Sequence, residues 1–177
     1  MKILILSPLF PPDVGDPAEY VKELASRLPA ADTTLLVYGY LPETVTGTPV
    51  KAIDKRNRLF FRLAHFTFEL LKASKNTELI IVNNAPSTEL PALIVSLFRP
   101  QPMLLCISDS IAANASGRGI YGLVHILLKR RCKKIISLPT DHIYQRAELL
   151  PFATFDTTRE AARQAWWQKH LTDIQSL

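Results

Sequence analysis

Residues 2–28, KILILSPLFPPDVGDPAEYVKELASRL, contain the pattern that decides the fold. The run 2–7 is short, apolar and rich in isoleucine and leucine, and it stops at Pro8, which predicts a buried strand. From Ala18 to Leu28 the apolar residues recur at three- and four-residue spacing, which predicts an amphipathic helix. The sequence therefore begins with a strand, a proline-rich loop and a helix.

The same alternation continues to residue 174. We predict further strands over residues 33–38, 50–53, 78–82, 103–107 and 134–138, and further helices over residues 58–75, 89–98, 120–131 and 157–174. The strands are nearly continuous apolar runs, which is typical of strands that are buried on both faces. The sequence therefore predicts an α/β fold with a doubly wound, mostly parallel sheet and helices on both faces.

Composition favours a single folded domain. The chain has 177 residues, of which 47% are hydrophobic and 21% charged, far from the composition of disordered proteins. Charge or proline interrupts every apolar run well before the roughly 20 residues that a membrane-spanning helix needs. Two cysteines make no disulfide framework and the first residues lack the pattern of a signal peptide, so we expect a cytoplasmic protein. The net charge of +5 is a mild bias without a basic stripe, so nucleic-acid binding is not expected.

The loop over residues 8–17 is the first candidate binding element, because ligands of such sheets lie outside the carboxyl ends of the strands. Gly15 permits a positive φ or a close approach of the backbone to a ligand, and the free N–H groups at the helix start suit phosphate or another anion. The alternative is purely structural, with Asp16 as the N-cap of the helix and Pro17 as its first residue.

On these residues the chain resembles the amino-terminal domain of GT-B glycosyltransferases of the family 4 type. The resemblance rests on the opening MKILILSP, on FPPDVG at 10–15 and on YVKELA at 20–25, and it continues more weakly through 78–83, 105–109 and 131–137. It implies a Rossmann-like acceptor-binding domain over residues 1–150, with residues 151–177 forming a helical tail that packs back on it. The family's second domain, which holds the nucleotide sugar, is not expected within 177 residues.

The resemblance implies a domain that is inactive alone, either one half of a split glycosyltransferase or a degenerate homologue. Hexosyl transfer is then expected only with a partner protein that supplies the donor domain and its nucleotide sugar, and no other cofactor is expected. The expected partner is either this donor-domain protein or a second copy of the chain in a homo-oligomer. A non-catalytic binding module is the alternative reading.

The resemblance also assigns candidate site residues. Ser108 stands where the family commonly has a histidine at the end of the fifth strand, and Asp109 beside it is a candidate base. Asp16 stands where the family usually has a second glycine, and its charge would repel a diphosphate. The candidate ligand- and acceptor-binding residues are Gly15, Asp16, Asn84, Gly117 and Gly119.

A rival motif is GRGIYG at 117–122, which matches the G-x-G-x-x-G fingerprint of dinucleotide-binding folds. It would make the chain a nicotinamide-dependent enzyme that uses Gly117, Gly119 and Gly122. In that fold the first glycine follows its strand within a residue or two, whereas residues 108–116 intervene here. A glycine-hinged loop at an acceptor site is therefore favoured.

The predicted helix over residues 58–75 suggests a membrane contact. Basic residues beside exposed aromatic residues suit an anionic lipid surface, and the candidates are Arg58, Phe61, Arg62 and Phe68. On this hypothesis the protein is peripheral at the inner face of the membrane. The alternative is a core-facing amphipathic helix with a charged first turn.

Histidine and tryptophan residues complete the candidates. The four histidines are widely spaced, so we expect no metal site, and His65 and His125 are predicted to be satisfied core or boundary residues. Trp166 and Trp167 lie in the tail. They are predicted to pack on the domain, with contact to a partner chain or a membrane interface as the alternative.

Overall fold

Six parallel strands and five helices make up the described residues of the computed structural model, which are 1–108, 119–139 and 157–177. The strands are β1 (Ile3–Ser7), β2 (Thr33–Tyr38), β3 (Val50–Ile53), β4 (Leu79–Asn83), β5 (Met103–Ile107) and β6 (Lys134–Ser137). The helices are α1 (Asp16–Arg27), α2 (Leu59–Ala73), α3 (Pro86–Phe98), α4 (Gly119–Arg131) and α5 (Thr157–Gln175), with short 3₁₀ turns at Ala30–Asp32 and Ser74–Asn76.

The strands form one sheet in the order β3-β2-β1-β4-β5-β6. At its centre Ile5 of β1 lies beside Leu35 of β2 on one side and Ile81 of β4 on the other. The strand order reverses between β1 and β4, which opens a crevice at the carboxyl ends of these two strands. The predicted doubly wound parallel sheet is confirmed.

The predicted boundaries agree with the structure to within about three residues. The strands over 33–38, 50–53 and 103–107 are as predicted, whereas α3 begins at Pro86 and not at Glu89. The backbone N–H groups of Thr88 and Glu89 both donate to the carbonyl of Ala85, at 3.1 and 2.8 Å, so the first helical turn starts there. Pro86 fits this turn because the first N–H groups of a helix have no intrahelical partner.

Helices cover both faces of the sheet, as predicted. We call α1 with α5 the two-helix layer and α2, α3 and α4 the three-helix layer. The two-helix layer packs on the strand residues that point one way, Ile3, Ile5, Leu35, Val37, Leu79, Ile81, Leu104 and Cys106. The three-helix layer packs on those that point the other way, Leu4, Leu6, Leu36, Tyr38, Ile53, Ile80, Val82, Met103 and Leu105.

The two layers differ in what they expose. Sixteen large apolar side chains of the described residues are exposed, and eleven of these lie on the three-helix layer, whereas none lies on α1 or α5. The eleven are Leu59, Phe60, Phe61, Phe68, Leu97, Phe98, Ile120, Tyr121, Leu123, Ile126 and Leu127. Of the described helices, none is long and apolar enough to cross a membrane.

The tail forms helix α5, which is part of the core. Trp167 is fully buried and stacks on Tyr20 of α1 with the ring centroids 5.8 Å apart, and Ile174 is also fully buried. Trp166 is partly buried against the same cluster. The predicted division at residue 150 lies within 140–156, outside the described residues, so the division into two parts stays a prediction.

Candidate functional site

Short polar side chains gather where β1, β4 and β5 end. Ser7 ends β1, Asn83 ends β4 and is followed by Asn84, and Ser108 follows β5. All four are buried, and all four are neutral hydroxyl or amide groups. This edge is the switch-point crevice, the position at which open α/β sheets bind their ligands.

The loop between β1 and α1 is tied to its neighbours at several points. The Ser7 hydroxyl donates to the carbonyl of Leu9 at 2.5 Å, and Phe10 is fully buried in the core beneath the loop. The carbonyl of Pro11 accepts from the backbone N–H of Glu43 at 2.8 Å. An ion pair between Asp13 and Lys55, 2.5 Å long, joins the loop to the segment after β3.

Gly15 is the N-cap of α1, with a φ of 147°. A Cβ at this position would lie 3.1 Å from Leu9 Cδ1, so both the backbone angle and the space favour glycine. The structural alternative for this loop was wrong by one residue, because Asp16 is the first residue of the helix and not its cap. Nothing is described of the Asp16 side chain, so its repulsion of a diphosphate stays a prediction.

The Asn83-Asn84 pair joins the ends of three strands. Asn84 donates its backbone N–H to the carbonyl of Cys106 at 2.9 Å, and its Oδ1 accepts the backbone N–H of Ser108 at 2.8 Å. Asn83 donates from Nδ2 to the carbonyl of Leu6 at 3.0 Å, which bridges β4 and β1. Asn84, predicted to bind a ligand, thus holds the start of the segment after β5 in place.

The Oδ1 atom of Asn83 is buried and has no hydrogen-bond partner among the described residues. An acceptor left in this state costs free energy unless a bound group donates to it. Sequence reasoning passed over Asn83 in favour of Asn84. The signal that would have found it is an amide at the last position of a strand in which all five residues are buried.

Two of the other predicted site residues, Asp109 and Gly117, lie outside the described residues. Gly119 is the first residue of α4, with a φ of 58°, and no atom of the described residues lies within 4 Å of a Cβ placed there. Gly122 is buried within the same helix. Two of the three glycines of the predicted dinucleotide fingerprint are therefore helical, and the loop that follows β1 holds no such fingerprint.

Three ionisable side chains, Tyr20, Cys106 and His170, are buried in the core between the sheet and the two-helix layer. The Tyr20 hydroxyl is 2.7 Å from His170 Nε2 and 3.2 Å from Cys106 Sγ. Burial raises the pKa of Cys106 to about 12 and lowers the pKa of His170 to about 4, so both are neutral near neutral pH. Within the described ranges no three His, Cys, Asp or Glu side chains come together as metal ligands would.

Of the predictions for His65 and His125, one is confirmed and the other is wrong. His125 is a boundary residue whose Nδ1 lies 2.8 Å from Oε2 of the buried Glu89, as predicted. The prediction for His65 was wrong, because that side chain is exposed. Helix α2 turns Phe66 and Leu70 into the core, and His65, one residue away, points to solvent.

Helix α2 packs on the core through one face and exposes aromatic and basic residues on the other. Phe66 and Leu70 are fully buried, so the helix packs on the sheet, yet Arg58, Phe61 and Phe68 are exposed. Arg62 is held inward: its Nη1 donates to the carbonyl of Lys55 at 3.1 Å and its guanidinium lies 5.3 Å from the centre of the Tyr38 ring. The membrane contact of these residues stays a prediction.

Comparison with known proteins gives a likeness of structure only. No protein-family model matches the sequence, and no curated protein is significantly similar to it. Among solved structures, the chain is similar to HepE (Alr3699) of Anabaena in complex with UDP-glucose, with 16% identity, a TM-score of 0.60 and coverage of 88% of this chain and 44% of that one. The complexes of HepE with UDP and with UDP and glucose give TM-scores of 0.56 and 0.57 at the same identity, each covering 45% of HepE.

The chain therefore spans less than half of the length of HepE. An identity of 16% shows the fold and leaves the activity open. The described sheet, with its order β3-β2-β1-β4-β5-β6 and helices on both faces, has a Rossmann-like α/β fold that is similar to part of HepE.

Proposed function

We propose that this chain is the acceptor-side domain of a glycosyltransferase of the GT-B type, resembling family 4, which acts with a separate half that binds the nucleotide sugar. The observation that carries the proposal is the match of 88% of this chain to less than half of a protein that binds UDP-glucose. Two Rossmann-type domains facing one cleft is the arrangement that the resemblance implies. A degenerate, non-catalytic domain of the same origin would bind the acceptor without transfer.

The chemistry of the edge supports the acceptor over the donor. Ser7, Asn83, Asn84 and Ser108 offer hydroxyl and amide groups, which pair with the hydroxyl groups of a sugar. The buried Oδ1 of Asn83 suits a hydroxyl donor. A diphosphate is better held by cations, and Lys55, which contacts this loop, is already paired with Asp13.

The loop over residues 8–15 is the proposed rim of the acceptor site. Its ties to Glu43 and Lys55 fix its shape before a ligand binds. A loop that is already ordered loses little conformational freedom on binding, which favours affinity. Gly15, at the start of α1, lets the sugar approach the backbone closely.

Asp109 is the proposed base of the transfer. It follows Ser108, whose backbone is fixed by Asn84. In the proposed step Asp109 takes the proton of the acceptor hydroxyl while the hydroxyl oxygen bonds to the anomeric carbon. The bond from that carbon to the diphosphate breaks, and the nucleoside diphosphate leaves with the electron pair. No cofactor of the chain's own takes part, and the partner half supplies the nucleotide sugar.

Ligand-observed NMR on the purified chain tests the proposal. We expect saturation transfer to members of a panel of oligosaccharides, and no release of UDP from UDP-glucose by the chain alone, because positioning the two substrates supplies much of the rate. The Gly15→Ala variant should lose the oligosaccharide signal, since the new methyl group meets Leu9 and strains the loop. Turnover of UDP-glucose by the chain alone would contradict the proposal, as would the absence of oligosaccharide binding.

Gly47→Ala is the matched control. Gly47 has a φ of 73°, and a Cβ there would lie 3.2 Å from Ala30, so the local strain is similar to that at Gly15. It precedes β3 and therefore lies towards the amino ends of the strands, away from the crevice. We expect this variant to keep the oligosaccharide signal. Equal loss in both variants would mean that general destabilisation, and not the loop, explains the result.

A further inference from the structure

The three-helix layer presents an apolar surface that the two-helix layer lacks. It exposes four large apolar side chains on α2, two on α3 and five on α4. Several are more than half exposed, among them Phe60 at 76%, Phe61 at 64% and Ile120 at 73%. A patch of this kind on one side of a folded domain marks a surface that is covered when the protein works.

The shape of this surface is broad. Helix α3 lies between α2 and α4, so the exposed side chains of the three helices form one continuous layer. A groove of about 480 Å³ runs between α2 and α3, with walls that include Phe60, Phe68 and Ile94. On α4, Ile120, Leu123 and Leu127 recur at helical spacing and make a second apolar ridge.

The two layers also differ in net charge. The helices α1 and α5 together contain five basic and five acidic residues, whereas α2, α3 and α4 contain five basic and two acidic residues. Neither acid of the three-helix layer is an isolated surface charge. Glu69 pairs with Lys72 at 3.1 Å and with Lys51 at 3.5 Å, and Glu89 is buried against His125.

We propose that the three-helix layer docks on the surface of an anionic lipid bilayer. Apolar and aromatic side chains beside lysine and arginine are the combination that the boundary between headgroups and acyl chains favours. The excess of positive charge complements anionic headgroups. A second copy of the chain suits this surface less well, because a two-fold contact would bring two copies of the same positive layer together. The proposal does not depend on the proposed glycosyltransferase function.

Arg58 and Arg130 are the residues on which the electrostatic part of the proposal is best tested. Arg58 is exposed at the N-cap of α2, one turn before Phe61. Arg130 is exposed one turn beyond Ile126 and Leu127 on the same ridge of α4. Arg62 is unsuitable, because its hydrogen bond to Lys55 and its contact with Tyr38 stabilise the fold.

Flotation of the full chain with vesicles gives the first measurement. We expect retention on phosphatidylcholine vesicles that contain phosphatidylglycerol, weaker retention on phosphatidylcholine alone, and release at high salt. Each basic residue near an anionic surface changes the partition coefficient about fivefold, so Arg58→Glu with Arg130→Glu should lower it at least about thirtyfold. Lys2→Glu with Lys169→Glu is the control of equal net charge, since both lysines are exposed and neither lies on the three-helix layer.

Apolar substitutions give the second measurement. Phe61→Gln with Leu123→Gln should weaken retention on both kinds of vesicle, and both side chains are more than half exposed, so the fold should persist. Val14→Gln with Leu41→Gln, exposed but outside the three helices, should bind as the unaltered chain does.

Results of three kinds would overturn the proposal. The first is no retention on anionic vesicles. The second is equal retention on neutral and anionic vesicles, or the same loss in the charge-reversed pair and its control. The third is a stable dimer in size-exclusion chromatography that Phe61→Gln with Leu123→Gln dissociates without any effect on lipid binding.

Discussion

The two helix layers of this protein differ in the side chains that they expose to solvent. Among the described residues, α1 and α5 leave no large apolar side chain exposed, whereas α2, α3 and α4 expose eleven. Both layers cover the sheet, because strand residues of both faces are buried beneath them. The layers differ in the outer faces of their helices, which are polar on α1 and α5 and largely apolar on α2, α3 and α4.

Helix α5 seals its layer with specific contacts. Trp167 stacks on Tyr20, and the guanidinium of Arg27 lies over the Trp167 ring, 5.0 Å from its centre. Arg163 donates to Glu23 at 2.6 Å, and Arg27 donates to Gln164 at 3.0 Å. These contacts join two helices that are more than 100 residues apart in the sequence, so α5 is a structural part of the fold.

The largest expected difference between the layers comes from removing a ring on each side. Trp167→Ala should lower the free energy of unfolding by about 3 to 5 kcal/mol, because it leaves a cavity beneath α5. Phe61→Ala should change it by no more than about 0.5 kcal/mol, because Phe61 is 64% exposed. Urea denaturation of both variants measures the two values. Equal effects would mean that α5 does not seal the two-helix layer.

Acid should lower the free energy of unfolding through His170, which is buried in the two-helix layer. Burial lowers the pKa of His170 to about 4, below the 6.5 of an exposed histidine, while Asp173 raises it and Lys134 lowers it further. The unfolded chain therefore binds more protons between these two values. The contribution of His170 is complete above about pH 6.5 and is lost as the pH falls towards 4, to a total of about 3 kcal/mol.

Thermal unfolding across this pH range checks the prediction. The His170→Gln variant should show a shallower loss of stability with acid than the unaltered chain. His65→Gln, on the exposed face of α2, should keep the full slope. The prediction fails when all three proteins lose stability in parallel.

A smaller effect should come from the ion pair between α1 and α5. Arg163→Met removes a side chain that is 6% exposed and that bonds to both Glu23 and Glu160. Because Glu23 keeps its pair with Arg27, we expect a loss of about 2 kcal/mol. Lys22→Met breaks the exposed pair with Glu43 and should cost less than about 1 kcal/mol in the same denaturation experiment. A reversed order would contradict the buried role of Arg163.

The sequence predicts those parts of the molecule that local pattern determines. Apolar runs such as 33–38 and 103–107 correspond to strands residue for residue, because strands buried on both faces leave a signal within their own few residues. Trp166 and Trp167 predict that the tail packs on the domain, and in the structure Trp167 is fully buried and Trp166 partly buried. The helix that carries Phe61 packs on the sheet through Phe66 and exposes Phe60, Phe61 and Phe68, and its contact with a membrane stays a prediction.

The details of the candidate site required contacts that no local pattern encodes. Asn84 and Ser108 are 24 residues apart and meet only because β4 and β5 are neighbours, so the structural role of Asn84 was not visible in the sequence. Asn83 follows the predicted strand 78–82 as the first residue of a loop, and nothing in its neighbours along the chain indicates that its amide pairs with the carbonyl of Leu6. The exposure of His65 differs from that of Phe66 by one step around the helix, which periodicity places poorly.

Hydrogen exchange followed by mass spectrometry, with and without anionic vesicles, tests most directly whether the two layers have different roles. We predict slower exchange in peptides from α2, α3 and α4 when phosphatidylglycerol is present, with no change in peptides from α1 and α5. Phosphatidylcholine vesicles alone should give little protection anywhere. Protection of α1 and α5, or exchange that vesicles leave unchanged throughout the chain, would contradict the assignment of the three-helix layer as the lipid-facing surface.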